Sequence, residues 1–168
     1  MRHVCAGAVR EQPVSRAFVK EPDGSEAFEE LPDRPISSHA NLVTPEGLAQ
    51  IERELARAQQ EHAEAQAAND RSALARATRD LRYWSSRRAT AQLAPAQASA
   101  DQVQFGTTVK LQRADGRIQR FRIVGEDEAE PAGGTISHVS PLARALFGKS
   151  TGDVVEIGGA EAEILGLS

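Results

Sequence analysis

The fold is decided by residues 44–94, which read TPEGLAQIERELARAQQEHAEAQAANDRSALARATRDLRYWSSRRATAQLA. Apolar or small side chains recur along this stretch at steps of three and then four, a spacing typical of the seam of a coiled coil. The seam consists of Leu48, Ile51, Leu55, Ala58, His62 and Ala65 in the first half, and of Leu74, Ala77, Leu81, Trp84, Arg88 and Ala91 in the second. A polar break at residues 69–72 separates the halves. The sequence therefore predicts an antiparallel helical hairpin over residues 42–94.

Capping residues mark both ends of the predicted hairpin. Thr44 is a good N-cap, and Pro45 suits the first helical position, where its missing N–H costs nothing. Pro95 ends the second arm because proline disfavours helix in the residue before it. Each arm then holds about 24 residues and is about 35 Å long. On the seam, we expect Arg88 to extend its stem and pair with Glu52.

Charge divides between the two arms. Residues 45–68 carry a net charge of −3, and residues 71–94 carry a net charge of +5. Two interpretations of the basic arm stay open: a solvated face that balances the acidic arm, or a strip that contacts nucleic acid or the wall of a protein channel. Under the second interpretation the contact residues are Arg71, Arg76, Arg79 and Arg82.

Composition limits the classes of protein that fit. A chain of 168 residues has room for one small domain beside the hairpin. The net charge is −4, so any nucleic-acid contact would have to come from the local arginines. The single cysteine, Cys5, excludes an internal disulfide and a cysteine-based zinc site. There is no run long enough for a membrane span and no signal peptide, so we expect a cytoplasmic protein with no membrane partner.

The first 41 residues lack a sustained period. Prolines at positions 13, 22, 32 and 35 favour an extended or disordered N-terminal tail over residues 1–41. Because a bacterial gene can start at a valine codon, Val14 is an alternative to Met1 as the native first residue.

The hydrophobic period changes to two from Val103, after a linker at residues 95–102 that is rich in alanine, glutamine and serine. Strands are predicted at residues 104–111, 119–124, 135–139, 154–157 and 162–165, with a hairpin turn at Asp115-Gly116. A short helix begins at Ser140-Pro141, and the residues that it should bury are Leu142, Leu146 and Phe147. Residues 103–168 are thus predicted to form a small antiparallel sheet with one short helix, which makes the chain α+β.

These motifs resemble the Gre transcript-cleavage factors, GreA and GreB. The run 42–47, Leu-Val-Thr-Pro-Glu-Gly, looks like the start of their coiled coil. The run 121–125, Phe-Arg-Ile-Val-Gly, followed by Asp127-Glu128 and by the run 140–146, Ser-Pro-Leu-Ala-Arg-Ala-Leu, is similar to their C-terminal domain. The tip, Asp70-Arg71-Ser72, is similar to the GreB-type tip. The resemblance covers residues 42–168 and leaves the N-terminal tail outside.

The resemblance implies a fold, a partner and a mode of action. An FKBP-like C-terminal domain would dock on the rim of the secondary channel of bacterial RNA polymerase through Ser140, Pro141 and Arg144. The coiled coil would enter the channel as part of a monomer, with contacts to nascent RNA or DNA. Tip carboxylates in this family help the polymerase to hold a second Mg²⁺, so the factor itself would bind no cofactor stably and would not be an enzyme.

Two features depart from the family pattern. Ala73 occupies the position of the second tip carboxylate, and we expect the nearest other acid to be Asp80, three helical turns away by spacing. Each arm is also about two turns shorter, or about 10 Å. Both features are similar to Rnk-type regulators, which bind polymerase without stimulating cleavage. Asp70 is therefore either the N-cap of the second helix or a shared Mg²⁺ ligand, and the two roles are compatible.

Two alternatives come from other functional classes. An FKBP-like fold is shared with peptidyl-prolyl isomerases, whose site needs an aromatic-lined pocket. The only aromatic residues after position 102 are Phe105, Phe121 and Phe147, which the core would use. The chain could also be an interaction module for another protein.

Overall fold

The structure is a computed structural model that describes residues 31–95 and 101–168. Its elements in chain order are β1 (Leu42–Val43), α1 (Pro45–Ala67), α2 (Arg71–Thr90), β2 (Gln92–Leu93), β3 (Thr108–Arg113), β4 (Ile118–Val124), a 3₁₀ turn (Pro131–Gly133), β5 (Thr135–Ser137), α3 (Pro141–Leu146), β6 (Val154–Ile157) and β7 (Ala160–Leu167). The two candidate start residues, Met1 and Val14, and the central part of the predicted linker lie outside the described residues.

The predicted helical hairpin is confirmed. The Thr44 hydroxyl accepts a hydrogen bond of 3.0 Å from the Gly47 amide, which caps α1 as expected from the sequence. The turn between the helices passes through Asn69, whose φ of 56° lies in the left-handed region that asparagine tolerates. Because only residues 68–70 join the helices, α1 and α2 are antiparallel neighbours.

The hairpin is held together along the predicted seam. Ile51, Ala58 and Trp84 form one buried cluster, against which Leu55 and Leu81 pack. This cluster lies toward the base, whereas small residues pack near the tip, where the helices can approach closely.

Two neighbouring arginines of α2 have different environments. Arg88 is exposed, and its Nε donates to Glu52 at 2.9 Å, as the sequence predicted. Arg87, which the seam pattern leaves out, is only 2% exposed. The reason is that the side of α2 next to the seam faces the sheet domain. The buried surface of α2 is therefore wider than the stripe that packs against α1 alone.

The base of the hairpin is closed by a short parallel pair that the sequence did not indicate. β1 and β2 pair through Leu42 with Gln92 and through Val43 with Leu93. The side chain of Asn41 donates to the carbonyl of Arg87 at 2.8 Å, which fixes the chain just before β1. The entry and exit of the hairpin are therefore tied together.

Residues 101–168 form a five-stranded sheet in the order β5-β4-β3-β7-β6. The prediction of a wholly antiparallel sheet is wrong at one edge, where β5 pairs parallel to β4. The loop over residues 125–134 crosses back to the start of β4 before β5 begins, so both strands run in the same direction. The remaining pairs are antiparallel, and the α+β class is confirmed.

The core of the sheet domain lies between one face of the sheet and α3. Val109, Leu111, Ile123, Ile164 and Leu146 are fully buried there.

Two details of the sheet domain differ from the sequence prediction. β3 begins at Thr108, four residues later than predicted, because Gln104 and Thr107 form a turn in which the Gln104 amide donates to the Thr107 hydroxyl. Phe147 was expected to be buried, but it is 37% exposed because α3 ends one residue earlier, at Leu146.

A segment that precedes the hairpin lies along α2. We name residues 31–41 the N-terminal strap. The strap contains no helix or strand and runs from the tip of the hairpin, where Leu31 lines a groove with Asn69 and Leu74, to the base at Asn41. The sequence predicted an extended or disordered tail here and did not specify where it docks.

Candidate functional site

An acidic loop of the sheet domain, residues 126–128, holds the base of the hairpin. The carboxylate of Asp127 accepts two hydrogen bonds from α2, one from the Tyr83 hydroxyl at 2.6 Å and one from Arg87 Nε at 2.5 Å. The side chain of Asp127 is 8% exposed and that of Arg87 is 2% exposed. This is a buried, hydrogen-bonded ion pair, and removal of either partner would be strongly destabilising because the other charge would stay buried and unpaired.

Glu128 grips the start of α1 from the same loop. Its Oε1 accepts from the Thr44 amide at 2.9 Å and from the Gly125 amide at 3.2 Å, and the Thr44 hydroxyl donates to Oε2. Gly47 makes room for this carboxyl group, since a Cβ at that position would lie 1.9 Å from Glu128 Cδ. Any larger residue at position 47 would have to displace the Glu128 carboxyl group from its contacts with Thr44.

Burial and the contact with Asp127 change the chemistry of Tyr83. Desolvation is the larger cause, and the hydrogen bond to Asp127 is the next, and together they raise the pKa of Tyr83 to about 12. The phenol therefore remains a hydrogen-bond donor throughout the ordinary pH range. We name the contacts of Tyr83, Arg87 and Thr44 with Asp127 and Glu128 the clamp.

The clamp joins the two parts of the molecule, and sequence reasoning missed its hairpin side. Asp127 and Glu128 were noticed only as part of a motif. Two features of the sequence could have indicated the clamp. Two acids, Asp127 and Glu128, are adjacent in a loop, and one arginine, Arg87, lies next to the apolar seam but outside it.

Asp70 lies at the tip, where it caps α2. Its Oδ1 accepts from the Ala73 amide at 3.0 Å and from the Ser72 hydroxyl at 3.2 Å. The Ala73 amide is the main cause that holds the pKa of the Asp70 carboxyl below its ordinary value. Oδ2 has no hydrogen-bond partner in residues 31–95 or 101–168. The structure thus gives Asp70 the predicted capping role and leaves one ionised oxygen open to solvent.

Other acids lie near the tip on the first helix. Glu61 and Glu64 line the same groove as Asp70, whereas Asp80 pairs with Arg34 at 3.2 Å. The expectation that Asp80 is the nearest relevant acid is therefore wrong, because it considered only the second arm. Within the described part of the chain no three carboxylate, histidine or cysteine side chains converge into a metal site.

The four arginines proposed to form a basic strip lie in different surroundings. Arg76 is exposed beside the tip groove that Asp70 also lines, and Arg71 borders a second groove that Leu31 closes. Arg82 pairs with Asp33 of the N-terminal strap at 3.3 Å. Arg79 is half-buried, and its buried Nε has no acceptor among the described residues. The strap thus covers part of the basic face.

The residues expected to bind a partner lie on one surface of the sheet domain. Ser140 caps α3 by accepting from the Ala143 amide at 3.2 Å, and Pro141 and Arg144 are exposed on the helix that follows. The partly exposed ring of Phe147 adds an apolar residue at the end of the same helix. Aromatic residues and arginine are both enriched in protein–protein interfaces.

The three phenylalanines considered for an isomerase pocket lie apart. Phe105 borders a groove at the base of the hairpin, Phe121 packs on the core, and Phe147 is at the end of α3. These positions do not favour the isomerase alternative. No helix in the described part of the chain has the length and apolarity that crossing a membrane requires.

Comparison with known proteins shows to which family the chain is related. The family model for the C-terminal domain of the GreA/GreB transcription elongation factors matches residues 97–165. A transcription elongation factor GreA from Desulfovibrio desulfuricans is 39% identical over 114 residues, which are 64% of this chain and 69% of that protein. The chain belongs to the GreA/GreB family. Since the match extends over more than two thirds of the relative, it includes sequence beyond the C-terminal domain.

Other members of the GreA/GreB family match over shorter stretches. The GreA proteins of Phenylobacterium zucineum and Methylobacterium nodulans are 50% identical over 68 residues and 45% identical over 78 residues. These stretches are 38% and 44% of this chain, and the chain spans about half the length of these two relatives, 43% and 49%.

Two solved structures were also similar. The GreA factor homologue Gfh1 of Thermus thermophilus is 23% identical, with a TM-score of 0.39, over 77% of this chain and 99% of that chain. A GreA/GreB factor from Nitrosomonas europaea is 19% identical, also with a TM-score of 0.39, over 76% and 98%. At these low scores the two structures add nothing to the family assignment, which rests on sequence.

Proposed function

We propose that this protein binds bacterial RNA polymerase at the rim of its secondary channel and regulates transcription elongation from the cytoplasm. The observation that carries the proposal is the clamp, which fixes the base of the hairpin to the sheet domain. A docked sheet domain would then hold the hairpin in a defined direction. The polymerase supplies the catalysis, and this chain changes what reaches the active site.

The docking surface in this proposal is the exposed side of α3. Pro141 and Arg144 would contact the polymerase, with Phe147 as an additional apolar anchor. Ser140 would act through its N-cap, which fixes where the helix begins.

A variant with Pro141→Ala and Arg144→Ala tests the docking surface. We expect its affinity for polymerase to fall by on the order of tenfold or more, because arginine is among the residues that dominate binding at such interfaces. Arg117→Ala is the control, since Arg117 is also exposed but lies in the turn between β3 and β4. Unchanged binding by the α3 variant in a co-sedimentation assay would exclude this surface.

At the tip we propose that occupancy of the channel is the main mode of action, and that Asp70 is at most an accessory ligand. Mg²⁺ prefers several oxygen ligands, and Asp70 offers one free carboxylate oxygen. The tip therefore does not hold the ion alone and would have to share it with the polymerase. Ala73 gives no second carboxylate at the matching position.

The two modes are separated by transcript cleavage in stalled, backtracked complexes. Asp70→Asn keeps an N-cap side chain but removes the charge, whereas Asp70→Ala also removes the cap at a cost of about 1 kcal/mol. If channel occupancy is the main mode of action, the wild type and both variants release equally little 3′ RNA. If the wild type cleaves efficiently and Asp70→Asn does not, the carboxylate acts as a metal ligand and occupancy alone is excluded.

A further inference from the structure

The contacts of the N-terminal strap with α2 have a specific chemical composition. The guanidinium of Arg34 lies 3.7 Å from the centroid of the Tyr83 ring and 5.3 Å from that of Trp84. Its Nη1 pairs with Asp80 at 3.2 Å. One residue earlier, the carboxylate of Asp33 pairs with Arg82 at 3.3 Å. A planar group therefore covers an aromatic face, and an anion beside it neutralises a cation.

The surface beneath the strap has the components of a site for single-stranded nucleic acid. Such sites combine cations that follow the backbone with aromatic faces on which bases stack. Here Arg82 and Arg79 provide the cations and Tyr83 provides the face. The buried Nε of Arg79 lacks an acceptor in the described residues, so the strap does not satisfy every donor of this surface.

We propose that the strap is an intramolecular substitute for single-stranded RNA, which binds the same face of α2 when the strap is displaced. Asp33 occupies the place of a phosphate on Arg82, and Arg34 occupies the place of a base on Tyr83. This inference rests on the proposed function insofar as that function places the basic arm near nucleic acid. It adds that access to the arm is controlled by residues 31–41.

The strap contacts have the strength expected of a displaceable cover. The side chains of Asp33 and Arg82 are 66% and 57% exposed, so their ion pair is weak and sensitive to salt. A ligand that requires an open α2 face then binds with an affinity reduced by the fraction of molecules in which the strap has left. RNA and strap compete, and each weakens the other.

The test is binding of a fluorescein-labelled single-stranded RNA of about ten nucleotides, a length within the range of single-strand sites, followed by anisotropy at fixed salt. The variant carries Asp33→Ala and Arg34→Ala, which removes one charge of each sign and leaves the net charge unchanged. The control carries Glu52→Ala and Arg88→Ala, a matched neutral pair at 2.9 Å on the same hairpin. We expect the strap variant to bind about tenfold more tightly than wild type, since two ion pairs and the cation–π contact of Arg34 no longer compete. The control should not change.

Two further measurements make the outcome decisive. Arg82→Ala, added to the strap variant, should abolish the gain, because it removes the proposed phosphate contact. Trp84 is the only tryptophan in the chain, so its fluorescence in the wild type, titrated with the RNA, reports whether Arg34 leaves the aromatic pair as the RNA binds. If RNA binds the wild type without changing this fluorescence, if the strap variant gains no RNA affinity, or if the control gains as much, the inference is wrong.

Polymerase binding, measured on the same variants, keeps this inference separate from the proposed function. The docking surface on α3 lies outside the substituted residues, so we expect polymerase affinity to remain within about twofold, the range of additive behaviour for distant sites. A gain in RNA binding without any polymerase binding would support the strap and refute the proposed partner. Polymerase binding without a gain in RNA binding would support the proposed partner and refute the strap inference.

Discussion

At the scale of single residues, the tip carries one carboxylate, that of Asp70, which caps α2 and is also the candidate metal ligand. Asp70 uses Oδ1 to cap α2 and leaves Oδ2 without a hydrogen-bond partner among the described residues. The low pKa of this carboxyl keeps it ionised at neutral pH. Three residues later, Ala73 carries no charge, so Asp70 supplies the only carboxylate of these two positions.

Ala73→Glu restores the absent carboxylate without disturbing the helix. With Asp70 as N-cap, position 73 is where a glutamate completes a capping box, so we expect the variant to be at least as stable as wild type. We expect cleavage of backtracked RNA to increase by on the order of tenfold, equivalent to about 1.4 kcal/mol of activation free energy. The measurement is release of 3′ fragments, with Ala89→Glu as a control that adds the same charge far from the tip. Equal rates for both variants would show that the carboxylate count does not limit cleavage.

Gly47 and Glu128 are a second example at the scale of single residues. The carboxyl group of Glu128 fills the space that a side chain at position 47 would need. Gly47→Ala should destabilise the wild type by about 1–3 kcal/mol through overpacking. In a Glu128→Ala background the same change should be neutral, or stabilising by up to about 1 kcal/mol through helix propensity. Urea denaturation of the wild type, the two single variants and the double variant gives the coupling free energy between positions 47 and 128. Additive changes in unfolding free energy would contradict the contact.

At the scale of elements, the clamp connects α2 to the acidic loop through Tyr83 and Arg87. Tyr83→Phe removes the hydroxyl donor to Asp127, and we expect a loss of about 1–2 kcal/mol of unfolding free energy near pH 7. The pKa of Tyr83 is raised to about 12 in the folded state, whereas an unfolded tyrosine titrates near 10. The associated stability is therefore complete below pH 10 and is lost as pH rises from about 10 to 12.

The pH dependence provides the check on this prediction. Because Tyr83 is the only tyrosine in the chain, tyrosinate absorbance follows its ionisation directly. The difference in stability between wild type and Tyr83→Phe should shrink over the same pH interval, and the variant corrects for lysine titration. A difference that is constant from pH 8 to 12 would show that the hydroxyl is not held by Asp127.

Elements were predictable from sequence where the signal was local. The caps at Thr44 and Ser140 and the seam through Ile51 and Trp84 identified the helices, since caps and periodicity depend on nearby residues. The parallel pairing of β5, the burial of Arg87 and the ion pairs of the strap with α2 were missed. Each depends on contacts between distant segments, which one-dimensional patterns do not encode.

At the scale of the whole molecule, the candidate site consists of two regions joined by the clamp. The docking residues on α3 and the tip residue Asp70 were identified from family motifs, and their role in polymerase binding stays a prediction. The clamp explains how a contact at one region could set the position of the other. The N-terminal strap adds a third region, which lies outside the resemblance to the GreA/GreB family.

The most direct measurement is to attach an iron chelate that cuts nearby nucleic acid and protein to position 70. The protein would carry Asp70→Cys together with Cys5→Ser, since Cys5 is the only native cysteine. In a stalled elongation complex we predict cuts close to the 3′ end of the nascent RNA, and none from the same chelate at position 117. If the chelate at position 70 cuts no nearer to the RNA 3′ end than the one at position 117, the hairpin does not enter the channel.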